Sequence, residues 1–396
     1  MLSKKALSIN PSPTMAIDSK AKEMKSRGID VIGFGAGEPD FDTPLHIREA
    51  AIRAINEGHT RYTPAAGTLE LKEAITDKLK AENGLEYNPA EVVVSNGAKH
   101  ALSNVFTALL NPGDEVMIPV PYWVTYPELV SLNDGIPVPV ETSKSNHFKA
   151  TPADMEKAYT DKCKALVLNS PSNPTGQVCS KEELKDIADF CCERGIYIIA
   201  DEIYEKLLYG SNSHTSIAGF SERAKELTIV VNGVSKSFAM TGWRIGYTAS
   251  APDLARVMAS IQSHTASNPN SVAQKAALAA LRGPQDCVEE MRAAFDERRR
   301  YMFDQVQSLP HLSALEPQGT FYLFVSVAKA IGKTYRGQKL FGSDDFATLL
   351  LDSEKVAVVP GTGFGAPDYI RLSFATSMDN IIEGLKRIGT FAGEID

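Results

Sequence analysis

Lys236 stands in the run Asn232-Gly233-Val234-Ser235-Lys236-Ser237-Phe238, behind small residues and close to an aromatic. Most lysines are surface groups, but this setting is unlike that of a solvated one. An amine that is desolvated or set beside another cation becomes a nucleophile toward a carbonyl carbon. Asp201 opens Asp201-Glu202-Ile203-Tyr204 at the end of an apolar run. A carboxylate there is costly unless something cationic meets it. Asn96-Gly97-Ala98-Lys99 is a small-residue turn opening a helix; its free N–H groups and the helix dipole suit a phosphate. Arg244 lies between Gly242 and Gly246, and Asn173 sits in the rigid turn Ser170-Pro171-Ser172-Asn173-Pro174-Thr175-Gly176. Each alone has a plain structural reading: a tight turn at Gly97, a helix cap at Asp201, a turn cap at Asn173, a surface amine at Lys236.

These residues all follow apolar runs that read as strands: 91–95, 115–120, 164–169, 196–200 and 228–231. Between them lie helical patterns. Leu102, Val105, Phe106 and Leu109 recur at helical spacing. Ser180 with Glu183 forms a capping box, and Gly195 is the stop. Continuous Val/Ile/Leu strands alternating with helices predict a mostly parallel sheet covered on both faces. Ligands of such sheets bind beyond the carboxyl ends of the strands. A phosphate cup, an aspartate, a lysine and an arginine at those ends have a joint reading. Pyridoxal 5'-phosphate needs an amine for its aldehyde, a carboxylate to keep its ring nitrogen protonated, and dipoles and cations for its phosphate.

Beyond Gly283 the pattern changes to a long charged helix over 287–308 and mixed short strands, including 356–360 and 369–374. The chain therefore reads as α/β. Residues 1–36 form an arm that shares the smaller domain, with an amphipathic segment at 17–27. Residues 37–283 form a large cofactor-binding domain, and 284–396 a smaller α+β domain.

With 396 residues, about two or three domains are expected. Ordinary globular composition, 43% hydrophobic and 23% charged, excludes disordered, collagenous and disulfide-scaffold classes. A net charge of −8 without one-sign runs argues against nucleic-acid or membrane partners. The five cysteines, 163, 179, 191, 192 and 287, form no Cys-x-x-Cys and no zinc spacing. Free thiols and no metal are expected, in a reducing cytoplasm. No apolar run is long enough to span a bilayer. Gly233-Val234-Ser235-Lys236-Ser237 lacks the final glycine of a hydrolase nucleophile elbow. Gly33-Phe34-Gly35-Ala36-Gly37 and Gly361-Thr362-Gly363-Phe364-Gly365 both lack the Gly-x-Gly-x-x-Gly nucleotide fingerprint.

An ordered set of motifs runs nearly end to end. It comprises Gly35-Ala36-Gly37-Glu38-Pro39-Asp40-Phe41, Arg61-Tyr62-Thr63-Pro64, Pro121-Tyr122-Trp123, Asn173-Pro174-Thr175-Gly176, Asp201-Glu202-Ile203-Tyr204, Ser235-Lys236-Ser237-Phe238, Met240-Thr241-Gly242-Trp243-Arg244 and Tyr369-Ile370-Arg371-Leu372-Ser373. On these residues the chain resembles the class I pyridoxal-phosphate aminotransferases of fold type I, most of all their bacterial aspartate aminotransferase branch.

The resemblance implies that Lys236 bonds the cofactor aldehyde and later carries the substrate proton. Asp201 would pair with the ring nitrogen, Tyr204 and Asn173 would reach the phenolic oxygen, and Trp123 would stack on the ring. The phosphate would be held by Gly97, Ala98, Ser235 and Arg244, with Lys99 at the third cup position, where relatives often carry a small polar residue. Tyr62 would reach it from a partner subunit, making a homodimer with shared sites. Arg371 and the Gly37 N–H would bind the substrate α-carboxylate, beside Trp123 and Asn173. The implied reaction is ping-pong transfer of an amino group from an L-amino acid, L-aspartate first, to 2-oxoglutarate. Prephenate, aromatic or neutral substrates, or a lyase reaction on the same fold, are the alternatives. Asn10 replaces a lysine that some members use for the distal carboxylate. Ser12 and Thr14, with Ser267 and Asn268 from the partner chain, are further candidates there.

Overall fold

Seven strands build the central sheet: β1 (Val92–Ser95), β2 (Glu115–Pro119), β3 (Ile136–Val140), β4 (Cys163–Asn169), β5 (Tyr197–Asp201), β6 (Thr228–Gly233) and β7 (Gly246–Ala249). This is the arrangement in a computed structural model that describes residues 2–7, 9 and 13–396. The order is β1-β7-β6-β5-β4-β2-β3. Neighbours pair in parallel except around β7, which runs antiparallel to both β1 and β6.

Both faces of the sheet are dry, as the continuous apolar runs require. Val116, Ile118, Val167, Ile199 and Ile229 pack on one side with Leu102, Val105 and Phe106 of helix α1 (Ala98–Leu109). Met117, Leu166, Leu168 and Ile198 point the other way, onto Leu184, Ile187 and Cys191 of helix α2 (Lys181–Arg194). Strand residues alternate faces, so each strand feeds two cores. Helix α2 starts and stops as its sequence predicts. Ser180 and Glu183 cap each other's backbone, and Gly195 takes a left-handed φ of 66°.

A second core surrounds an antiparallel sheet in the order Val359–Pro360, Tyr369–Ser373, Tyr322–Ser326, Ser313–Ala314. Phe295, Phe321, Phe346, Phe374 and Phe391 fill it, and Ile32 and Phe34 join them from the N-terminal segment. Helix Pro13–Ser26 buries Ala21 near Leu351 and Ala357.

Three local readings need correction. The expected strand at 356–360 is two short ones. Val356–Ala357 pairs in parallel with Ile32–Gly33, while Val359–Pro360 pairs with Tyr369–Ser373. Val358 between them passes the chain from one sheet to the other. Strand β3, absent from the reading, carries Pro137 and Pro139; it is an edge strand, where proline is tolerated. Strand β7 was also missed, because its four residues follow the Arg244 segment without a helix between. Asn10 and Ser12 lie outside the described residues, as does the side chain of Thr14.

Candidate active site

The carboxyl ends of β1, β4, β5 and β6 open into a cavity of about 600 Å³, the size of a small-molecule site. Gly37, Ala98, Lys99, Trp123, Asn173, Asp201, Tyr204, Ser235, Lys236, Arg244 and Arg371 all line it. Gly97 caps helix α1 at φ 83°. A Cβ there would collide with the Arg244 guanidinium, so glycine lets Arg244 lie against the turn. Arg244 is anchored by Thr241 O at 2.8 Å and Asn96 O at 3.3 Å. It has no carboxylate partner among the described residues.

Lys236 is half-buried, and its Nζ donates to Gly37 O at 2.6 Å. Burial pulls its pKa down to about 8; Arg244 and Arg371 lower it further, while Glu38 and Asp201 oppose. About a tenth of the amine is therefore neutral at pH 7, far more than for an ordinary lysine. Asp201 ends β5, 3% exposed. Its Oδ2 accepts the Tyr126 hydroxyl at 2.7 Å and its Oδ1 the Ile203 N–H at 3.3 Å. Burial pushes its pKa up to about 6 against those two hydrogen bonds. A buried carboxylate with so few partners is built for a cation.

Arg371 lies on β-strand Tyr369–Ser373, 2% exposed. Nη1 donates to Asn173 Oδ1 at 2.9 Å and Nη2 to Gly35 O at 3.2 Å. Its guanidinium carbon is 4.1 Å from the Tyr322 ring centroid. The Tyr322 hydroxyl in turn bonds that of Tyr204 at 3.1 Å. Burial keeps the Tyr204 phenol well above its usual pKa, with Tyr322 adding to the effect, so it stays a protonated donor.

Lys99 turns its ammonium over Trp123, 4.9 Å from the ring centroid. Burial and then the neighbouring Arg244 lower its pKa. It makes no ion pair with a described residue. Trp123 packs edge-on against Tyr126, centroids 5.4 Å apart.

Tyr62, expected to reach the phosphate of a partner subunit, is 91% exposed and lines no part of its own chain's cavity. Ser267 and Asn268, likewise expected from the partner chain, do not line this chain's own cavity. Tyr126, Tyr322 and Glu38 were missed. Tyr126 sits in the first turn of helix Thr125–Leu132, and its bond to Asp201, 75 positions away, left no mark in the local sequence. Tyr322 left none either, because it meets Tyr204 and Arg371 only through side-chain contacts between distant segments.

These residues fit pyridoxal phosphate. An amine with no carboxylate bonded to it, a buried carboxylate awaiting a cation, and an arginine beside a helix N-terminus all face one cavity.

The sequence profile of the family "Aminotransferase class I and II" matches residues 29–388. The aspartate aminotransferase of Geobacillus stearothermophilus is 52% identical over 390 residues, 98% of each chain. A probable aspartate/prephenate aminotransferase of Aquifex aeolicus is 49% identical, over 98% of this chain and 97% of the relative. Among solved structures, the aspartate aminotransferase of Thermus thermophilus with maleate superposes with a TM-score of 0.93 at 42% identity, covering 99% of each chain. Fold and site thus define a pyridoxal-phosphate enzyme of the aspartate aminotransferase fold. The chain belongs to the class I and II aminotransferases and is an aminotransferase dependent on pyridoxal 5'-phosphate. Its substrates are an amino acid and a 2-oxo acid.

Proposed function

We propose that the enzyme transfers the amino group of L-aspartate to 2-oxoglutarate. The observation that carries this is a pair of cations, Arg371 and Lys99, that line one cavity and have no carboxylate partner among the described residues. A dicarboxylic substrate offers one carboxylate to each. Arg371 suits the α-carboxylate, because its planar fork gives paired, charge-assisted hydrogen bonds. Lys99 suits the distal one. The relatives named aspartate aminotransferase, and the neighbour solved with the dicarboxylate maleate, support the same choice.

When bound, pyridoxal phosphate supplies an aldehyde for the amine and a protonated ring that accepts the electron pair left at the substrate Cα. Lys236, at a pKa of about 8, would supply the amine that condenses with the aldehyde, releasing water, and the base that carries the Cα proton. Asp201 would hold the proton on the ring nitrogen, and the Tyr126 hydroxyl keeps that carboxylate in place. Tyr204 and the Asn173 Nδ2 donate to the phenolic oxygen, since Asn173 Oδ1 is already taken by Arg371. Trp123 covers the ring. The N–H groups at Gly97, Ala98 and Lys99, the Ser235 hydroxyl and Arg244 hold the phosphate. The Gly37 N–H joins Arg371 at the α-carboxylate.

The working unit on this reading is a homodimer in which Tyr62 completes the partner's phosphate site. Its 91% exposure, with Ile52, Ile55 and Leu69 also exposed, supports that contact. On this reading 284–396 and the described part of 1–36 make the smaller domain and 37–283 the larger, with Ile203, Tyr204, Leu207 and Tyr209 of the larger packing into the smaller domain's core. A cytoplasmic setting accords with five unpaired cysteines and with no described helix being long and apolar enough to cross a membrane. Prephenate is a second substrate to test, favoured by similarity to the Aquifex relative.

The test is a visible spectrum of the holoenzyme. Bleaching by L-aspartate and recovery with 2-oxoglutarate is the expected result. A spectrum indifferent to aspartate that bleaches with aromatic or neutral amino acids overturns the substrate choice.

A further inference from the structure

The turn carrying Asp201 and Tyr204 has two faces. Those two line the cavity, while the residue after each, Glu202 and Glu205, is buried and does not. Glu202 Oε1 accepts Ser216 Oγ at 2.6 Å, and its Oε2 lies 3.1 Å from His214 Nε2. Glu205 accepts Asn83 Nδ2 at 2.8 Å and Asn232 Nδ2 at 2.9 Å, and it pairs with Lys78 Nζ. Its other oxygen is 3.9 Å from the same His214 nitrogen. The turn is thus tied to helix Leu69–Asn83, to β6 and to the loop holding His214 and Ser216.

Charge decides what the cluster needs. Two buried carboxylates face one ammonium, so a proton on His214 brings it to neutrality. Every other charged or titratable neighbour leaves that balance alone. Glu82 lies 3.5 Å from Lys78 but is matched by Lys206 at 2.8 Å, so that pair adds no net charge at the rim, and burial keeps the Tyr87 and Tyr247 phenols protonated. Burial alone would strip the His214 proton, but Glu202 and Glu205 outweigh it. Glu202, Glu205 and His214 also place ligand atoms within 4.8 Å of one another, as a metal would need. Lys78 already occupies Glu205, however, and a divalent ion would leave buried positive charge uncompensated.

We propose that Lys78, Glu202, Glu205 and His214 are positioning residues for Asp201 and Tyr204, with the proton on His214 shielding Asp201 from the Glu202 charge. Without that proton, an uncompensated carboxylate sits one residue from Asp201. The ring-nitrogen partner is then harder to keep ionised, and the turn loses one of its ties. The proposal rests on the assignment of Asp201 and Tyr204 to the cofactor.

The experiment compares holoenzymes carrying His214→Gln, Glu202→Gln with His214→Gln, and Asp201→Ala. Each is read by cofactor retention during dialysis and by the pH midpoint of its visible band. His214→Gln is expected to lose cofactor about tenfold faster and to shift the midpoint. The double variant, which removes the charge that needs the proton, returns to within about threefold of wild type. Wild-type retention and midpoint in His214→Gln, with lower melting temperature only, overturns the proposal, as does a double variant no better than the single. One equivalent of tightly held divalent metal in the purified enzyme also overturns it. Wild-type retention in Asp201→Ala instead sinks the underlying site assignment.

Discussion

Arg371 Nη1 and Asn173 Oδ1 meet at 2.9 Å across 198 positions of chain. The bond ties the C-terminal antiparallel sheet to the turn beyond β4. It also orients two groups at once: the guanidinium toward a substrate carboxylate and the amide nitrogen toward the cofactor oxygen. Replacing Arg371 by Ala should lower kcat/KM for L-aspartate roughly 10- to 100-fold, mainly through KM, since a charged hydrogen bond contributes about 1.5–3 kcal/mol. Arg371→Lys should recover little, having no fork. Steady-state kinetics on both variants decide this, and an unchanged KM removes Arg371 from the site.

Lys236→Ala should leave the fold intact and cut turnover by on the order of 10⁴-fold or more, because nucleophile and proton carrier go together. Circular dichroism checks the fold and a coupled assay the rate. Near-normal transamination would sink the mechanism.

Lys99→Met keeps the packing over Trp123 and deletes the charge. It should reduce kcat/KM for L-aspartate about tenfold, the scale of one charge-assisted contact, and leave aromatic and neutral amino acids nearly untouched. An equal loss for every donor would place Lys99 on the phosphate instead.

Asp201 sets a trade between stability and function. Its folded pKa of about 6 lies above its usual value of 3.8. The contribution is therefore fully present below the lower value and is lost as pH rises through the higher. In cofactor-free enzyme, Asp201→Asn escapes that loss and should be more stable than wild type by about 2–3 kcal/mol at pH ~8. The gap should close near pH ~4. The variant should also hold cofactor more weakly. Urea midpoints at the two pH values are the measurement; a gap independent of pH refutes the account.

Much of the site was legible in the chain. Lys236, Asp201, Asn173 and Arg244 each follow a strand that apolar runs announce, and the ends of parallel strands gather in space. The capping box at Ser180 and the glycine stop at Gly195 were equally plain, because caps act within one turn. The single strand expected at 356–360 was misread because a buried apolar run looks alike whichever sheet it joins.

What the chain determined by itself is local: residue type, period, caps, and the ordered motifs that mark the family. The tertiary structure alone decided the rest. It set Tyr322 beneath Arg371, Tyr126 on Asp201, Lys99 over Trp123, and Lys78 with His214 behind the Asp201 turn. Spacing encodes neighbours a turn or a pleat apart, whereas contacts between distant segments follow from sheet order, register and the burial of both partners.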